Sequence, residues 1–269
     1  MPQYKLTAIN IGSFNLGEAD RILTLFSAER GVVRAVAKSA RKPGKAMTGR
    51  SELLNINQLL LATGRSLDII TQAQTLETFS SLRQDLSRLS YALYYAELTC
   101  IFGTGLTDES ASYFDFLQDA IQRQSKFESK PEWLCLRFEL GLLDMLGYKP
   151  ELTLCMNCQN AIDDYSVARF DHELDGVLCS NCKDTQTIVA EHSSRSFTEL
   201  TPLVWKQLVL ASQPYPNSTV TNVAANRAES VSTAQSLFAA HRLMQNHLEY
   251  KAGKQIRSLD LLKSLQPSA

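Results

Sequence analysis

Two cysteine pairs constrain this 269-residue chain more than any other feature: Cys155-Met-Asn-Cys158 and Cys179-Ser-Asn-Cys182, with 20 residues between them. Two residues inside a pair let both thiolates reach one ion from a single knuckle, and two knuckles complete a tetrahedron of four sulfurs. Asn157, Asn160, Gly176 and Asn181 supply turn-forming residues around the pairs. The spacing predicts a four-thiolate zinc site on Cys155, Cys158, Cys179 and Cys182, with one Zn2+ per chain. Two disulfides or an iron–sulfur cluster are the alternatives. Met1 to Lys5 lead into alternating residues rather than an apolar block, so no secretory leader is expected, and a reducing compartment disfavours disulfides. Four thiolates leave no open position for water or substrate, so the metal is expected to be structural. Apolar residues between the pairs are sparse (Ile162, Val167, Phe170, Leu174, Val177), and metal binding in such a unit supplies roughly 10–16 kcal/mol of folding energy. His172 lies in the same segment and is expected at the surface rather than on the metal. Cys100 and Cys135 sit among apolar residues and are expected to be buried.

Upstream of the cysteines the hydrophobic period changes once. Short β-type runs fill the first part: Lys5 to Ile9, Arg21 to Phe26, Val32 to Ala37, Leu53 to Ala62 and Leu67 to Thr75. They leave no room for crossover helices, which fits a small barrel of the OB type. Phe14 is placed in a loop beside Gly12, Asn15 and Gly17, and a polar loop is expected from Ser39 to Gly49. From Phe79 the spacing becomes helical, with apolar stripes at Leu82–Leu98, Tyr113–Ile121 and Trp133–Leu146, the last closed by Gly147 and Pro150. Thr198 to Leu210, Ser232 to Tyr250 and Ser258 to Leu265 are predicted helices, with a loop from Ser212 to Arg227. The expected fold is α+β and multidomain. An OB-fold barrel occupies residues 1–79, a helical domain 80–150 and 191–269, and a four-cysteine insertion 151–190.

Charge is unevenly spread. The whole chain carries −1, yet residues 1–80 hold ten lysines and arginines against six acids, a net +4, which leaves −5 for the rest. Arg30, Arg34, Lys38, Arg41, Lys42, Lys45 and Arg50 follow one another with no acid between them. A solvated loop is the plain reading of such a run. On a barrel whose loops commonly hold oligonucleotides, these seven residues become candidate nucleic-acid contacts. Aromatic residues are scarce here, so the footprint is expected to be mostly phosphate and indifferent to sequence.

Enzymatic signatures are missing. Lys38 to Gly49 is not a phosphate loop, because Ala46 follows Gly44-Lys45 and Ser39 stands where the leading glycine belongs. His172, His192, His241 and His247 form no metalloprotease motif, and no acid spacing suggests a two-metal nuclease. No run approaches the ~18 apolar residues of a membrane span. A nucleic-acid-binding protein without catalytic activity is the favoured reading. A protein-docking adaptor or a nuclease with unlinked carboxylates are the alternatives.

Two stretches resemble the RecO family of bacterial recombination mediators. One is Leu16 to Ser27, continued by Glu29-Arg30-Gly31 and by Ala35 to Pro43; the other is Phe138 to Pro150, leading into Cys155. The order of parts is also similar. The sequence departs at Ser39-Ala40, where many relatives have Gly-Ala. The resemblance implies binding of single- and double-stranded DNA and annealing of complementary strands. It also implies cooperation with RecR in loading RecA on strands covered by single-strand-binding protein, whose C-terminal tail is an expected partner. The implied setting is the bacterial cytoplasm, at the nucleoid.

Overall fold

The computed structural model describes residues 2–126, 129–183, 196–213 and 231–265. These fall into two compact units, one within Met1–Pro131 and Ile256–Ala269, the other within Glu132–Gln255. His192, most of the loop expected from Ser212 to Arg227, and residues 184–190 of the cysteine insertion lie outside the described residues.

The first unit is built on a closed barrel in the order β1-β2-β3-β5-β4, which is the OB-type topology expected. Its strands are β1 (Gln3–Leu16), β2 (Asp20–Ser27), β3 (Gly31–Ala37), β4 (Ile56–Ala62) and β5 (Asp68–Glu77). One long strand closes the ring. β1 pairs with β4 through Gln3 to Ile9 and with β2 through Ala8 to Leu16, and a bulge between Asn10 and Gly12 bends it from one partner to the other. β3 and β5 pair in parallel. Alternate residues point inward, so Leu6, Leu23, Leu25, Leu59, Leu61 and Ile70 fill the lumen, and Ala8, Ala35, Ala37 and Ala73 fit where space is short. A short helix, α1 (Ala46–Arg50), closes one end with Met47 against this core.

Two helices cover part of the barrel's outer wall. α2 (Leu86–Phe102) is capped by Asp85, whose carboxylate accepts from the Arg88 N–H at 3.0 Å. α3 (Ser110–Lys126) sets Tyr113 edge-on against Phe26 of β2, with ring centroids 4.9 Å apart. The approach is close at Gly103, where a Cβ would stand 2.8 Å from the Val32 side chain. The last described helix of the chain rejoins this unit. Glu97 on α2 accepts from the backbone N–H groups of Arg257 and Ser258, at the start of Ser258–Leu265.

The second unit begins with α4 (Pro131–Met145). It ends as its sequence predicts: Gly147 has φ +77, and the N–H groups of Gly147 and Tyr148 bond back to the carbonyls of Asp144 and Leu143. A three-stranded sheet in the order β7-β6-β8 follows, with β6 (Val167–Asp171), β7 (Gly176–Cys179) and β8 (Phe197–Glu199). Its first two strands form a hairpin between the cysteine pairs that the apolar pattern alone did not reveal. α5 (Pro202–Ser212) and α6 (Val231–Ala252) pack together, and the C-terminal helix Ser258–Leu265 becomes α7 of the first unit.

Candidate nucleic-acid interface and metal centre

The basic loop between β3 and α1 has a fixed backbone. Asp20 accepts from the Ser39 N–H at 2.7 Å, and the Arg41 N–H donates to the Ala19 carbonyl at 2.9 Å. Ala40 is buried beneath the loop. Three buried asparagines hold its far end: Asn10 and Asn57 donate to the Arg50 carbonyl, and Asn55 donates to that of Gly49. Ser39 takes φ +58, a left-handed conformation in which glycine is favoured.

With the backbone pinned inward, the cationic side chains project outward. Lys38, Arg41, Lys42 and Lys45 are exposed, as is Arg34 on β3, while Arg50 is half-buried. Arg41 also donates to the Gly17 carbonyl, which ties the loop to the β1–β2 hairpin. Among the described residues, no ion pair engages any of these six. Arg30 is set apart. It lies at the turn before β3, roughly 20 Å of strand from the loop. Its guanidinium covers the Tyr4 ring at 3.8 Å. Burial and the hydrogen bond to Asp68 push the Tyr4 hydroxyl up to about 12. Arg21 adds a guanidinium at the loop end, donating to Ser51 at 3.2 Å, although it falls outside the uninterrupted basic run.

In the second unit the four paired cysteines converge. Their sulfurs all lie within 4.8 Å of one another, and Cys158 and Cys179 are 3.8 Å apart. A disulfide requires about 2.05 Å. Metal–sulfur bonds of about 2.3 Å at tetrahedral angles place sulfurs about 3.8 Å apart, so the geometry fits a closed tetrahedral ion. The knuckles are shaped by backbone bonds. Cys155 N–H donates to Asn160 O and Gln159 N–H to Cys155 O, both at 2.9 Å, while Cys182 N–H reaches Cys179 O at 3.0 Å. Gly176 permits the crossing, since a Cβ there would meet the Met156 side chain at 2.6 Å. Burial raises the Cys155 thiol, but N–H groups of Cys158, Cys179 and Asn157 outweigh it and bring it down to about 6. Burial and neighbouring sulfurs push Cys179 up to about 12. Cys155 is thus the thiol of the cluster most ready to ionise, and a bound cation would favour the thiolate of Cys179 against its burial.

Three expectations change on inspection. His172 is buried, not superficial: its Nδ1 lies 3.2 Å from Nδ1 of His247 on α6, and its Nε2 lies 3.0 Å from the Thr198 hydroxyl. Cys100 is exposed at the end of α2, because its side chain stands over Gly12 at the margin of the barrel wall. Phe14 belongs to β1 rather than to a loop, because pairing with Ile22 holds it extended. Cys135 is buried as expected. It stands beside Glu139 and His241, with ligand-type atoms again within 4.8 Å. There His241 lies 2.9 Å from the Glu139 carboxylate through Nδ1 and 2.9 Å from the Gln245 amide through Nε2, so hydrogen bonds already engage both ring nitrogens.

The fold and site define a class of two-part protein: an OB-type barrel with an outward-facing cationic loop, followed by a helical part bearing a four-cysteine cluster. Comparison with known proteins adds the family. Its residues 1–79 match the family model for the N-terminal part of recombination protein O, and residues 83–201 match the one for its C-terminal part. The DNA repair protein RecO of Dehalococcoides mccartyi is 37% identical over 186 residues, 68% of this chain and 71% of that protein. The RecO of Symbiobacterium thermophilum is 36% identical over 185 residues, covering 68% and 73%. A Synechococcus RecO is 31% identical over 275 residues, covering 97% and 89%. The chain belongs to the RecO family, whose named members are DNA repair proteins. Among the described residues, no helix is long and apolar enough to cross a membrane.

Proposed function

We propose that this protein is a non-enzymatic DNA-binding component of recombinational repair, acting in the bacterial cytoplasm at the nucleoid. It grips single- and double-stranded DNA mainly through phosphates and anneals complementary strands. The observation that carries this reading is the group of outward cations on a backbone-pinned loop, none in an ion pair among the described residues. Arg34, Lys38, Arg41, Lys42 and Lys45 supply the principal contacts, and Arg50 lies beside them. Arg30 is a secondary contact at the other end of β3. Two polyanions brought to such a loop repel each other less, and phosphate contacts leave the base edges free to pair.

Cys155, Cys158, Cys179 and Cys182 hold one Zn2+, which staples the hairpin of β6 and β7 and supplies no chemistry. Family membership supports cooperation with RecR and the tail of single-strand-binding protein in loading RecA. Annealing of complementary strands by the intact chain, without ATP or added metal, tests the central role. Acceleration over the spontaneous rate is expected. Magnesium-dependent degradation of the strands would show a nuclease instead.

A further inference from the structure

Register across the barrel brings together residues that are far apart in sequence. Phe14 of β1 pairs with Ile22 of β2, and Ile22 pairs with Val36 of β3. The neighbouring pair Leu23–Ala35 points into the lumen, so this row points outward. Val36 in turn pairs with Ile69 of β5, next to the lumen residue Ile70, which extends the outward row to four strands. One pleat along, Gly12, Thr24 and Arg34 form the parallel row. Cys100 of α2 lies 3.5 Å from where a Cβ of Gly12 would stand, so the helical cover begins there. Phe14 lies beyond that cover, with 61% of its surface exposed, and Leu16 beyond it is 40% exposed.

An exposed aromatic ring on a half-buried apolar row is costly to leave in water. Its surroundings are cationic. Arg34 and Lys38 flank the row on β3, about 10 Å from β1. Arg41 reaches the hairpin tip through the Gly17 carbonyl. By register the neighbouring acids include Glu18, Asp20 and Asp68; Asp20 is engaged with the Ser39 N–H, and Asp68 with the Tyr4 hydroxyl and the Gly64 N–H. An apolar protein segment would leave these cations without counter-charge. Unpaired nucleotides satisfy both parts, since each carries a flat apolar face and an anionic phosphate. A duplex hides its base faces in its own stack.

We infer that the outer face of β1, β2 and β3, centred on Phe14, is a stacking platform for the bases of single-stranded DNA, with Arg34 and Lys38 holding the adjoining phosphates. This rests on the reading of the barrel as the DNA-binding part and adds to it a base contact. Stacking on Phe14 uses a base's face and leaves its pairing edge free.

The test uses the full chain and three probes with equal numbers of phosphates: a thymine strand, an abasic strand and a duplex. Wild type binds the thymine strand more tightly than the abasic one. Phe14→Ala lowers affinity for the thymine strand about tenfold. It leaves abasic and duplex binding unchanged, together with the salt slope and thermal stability. Phe14→Trp restores the affinity, and its added fluorescence, above that of Trp133 and Trp205, is quenched by the thymine strand only. Equal wild-type affinity for thymine and abasic strands, or equal losses on all probes in Phe14→Ala, would overturn the platform while leaving phosphate binding intact. Failure of wild type to bind any probe at low salt would overturn the DNA-binding reading itself, and the platform with it.

Discussion

Two buried imidazoles in the second unit illustrate what a single residue's position decides. His172 and His247 meet through their Nδ1 atoms at 3.2 Å, and His247 Nε2 stands 3.4 Å from Asp175, which is itself paired with Lys251. The contacts can all be met with both rings neutral: His172 Nε2 faces the Thr198 hydroxyl, one hydrogen serves the two Nδ1 atoms, and His247 Nε2 faces Asp175. Burial drives His247 down to about 3, with His172 and Lys251 adding to the effect; burial also lowers His172 despite Asp171 and Asp175. Unfolded histidines titrate near 6.5. Between about 3 and 6.5 the unfolded chain therefore holds more protons than the folded one, and stability present above that window is lost as pH falls through it. Each histidine contributes a slope of up to about 1.4 kcal/mol per pH unit. Urea unfolding at pH 7.5 and pH 5 should show this loss, and His247→Gln should reduce it, with metal effects common to both proteins. An unchanged pH slope in the variant would remove the pair from the account. None of this was legible locally. His172 reads as a surface residue because its partner is 75 positions away, whereas buried Cys135 is announced by its apolar neighbours.

Elements were legible where local chemistry sets them. The Cys-x2-Cys spacing predicted a metal knuckle, and the sulfurs do converge. Gly147 and Pro150 predicted the end of α4, and the backbone turns back there. The hairpin of β6 and β7 escaped notice because five- and four-residue strands buried on both faces carry no alternation. β1 was read too short, because Gly12 and Asn15, just before the turn at Gly17, look like loop until β2 pairs with them. Cys155→Ser or Cys179→Ser should lose the metal, measured as metal content of protein purified under reducing conditions, with a marked drop in melting temperature. Retention of full metal content would contradict the four-sulfur assignment. Gly176→Ala, which forces a Cβ to 2.6 Å from Met156 and 2.9 Å from the Glu151 carbonyl, should cost about 1–3 kcal/mol in chemical denaturation. A neutral result would mean that this crossing yields freely.

At the scale of the whole molecule, charge segregation was plain in the sequence, but the grouping of parts was not. The C-terminal helix joins the first unit through Glu97, 161 residues before the Ser258 N–H it binds, a distance no local pattern spans. Residues 80–131 also stay with the barrel, where Tyr113 covers Phe26, so the intact chain is the proper object for DNA measurements. The central claim is that the pinned loop grips phosphates. Its most direct test is the salt dependence of single-strand binding by wild type and by Arg41→Ala/Lys42→Ala/Lys45→Ala. Five neutralised phosphates predict a log–log slope near −3.5, and the triple variant should fall to about −1.4 with wild-type thermal stability. An unchanged slope and affinity in that variant would contradict the claim.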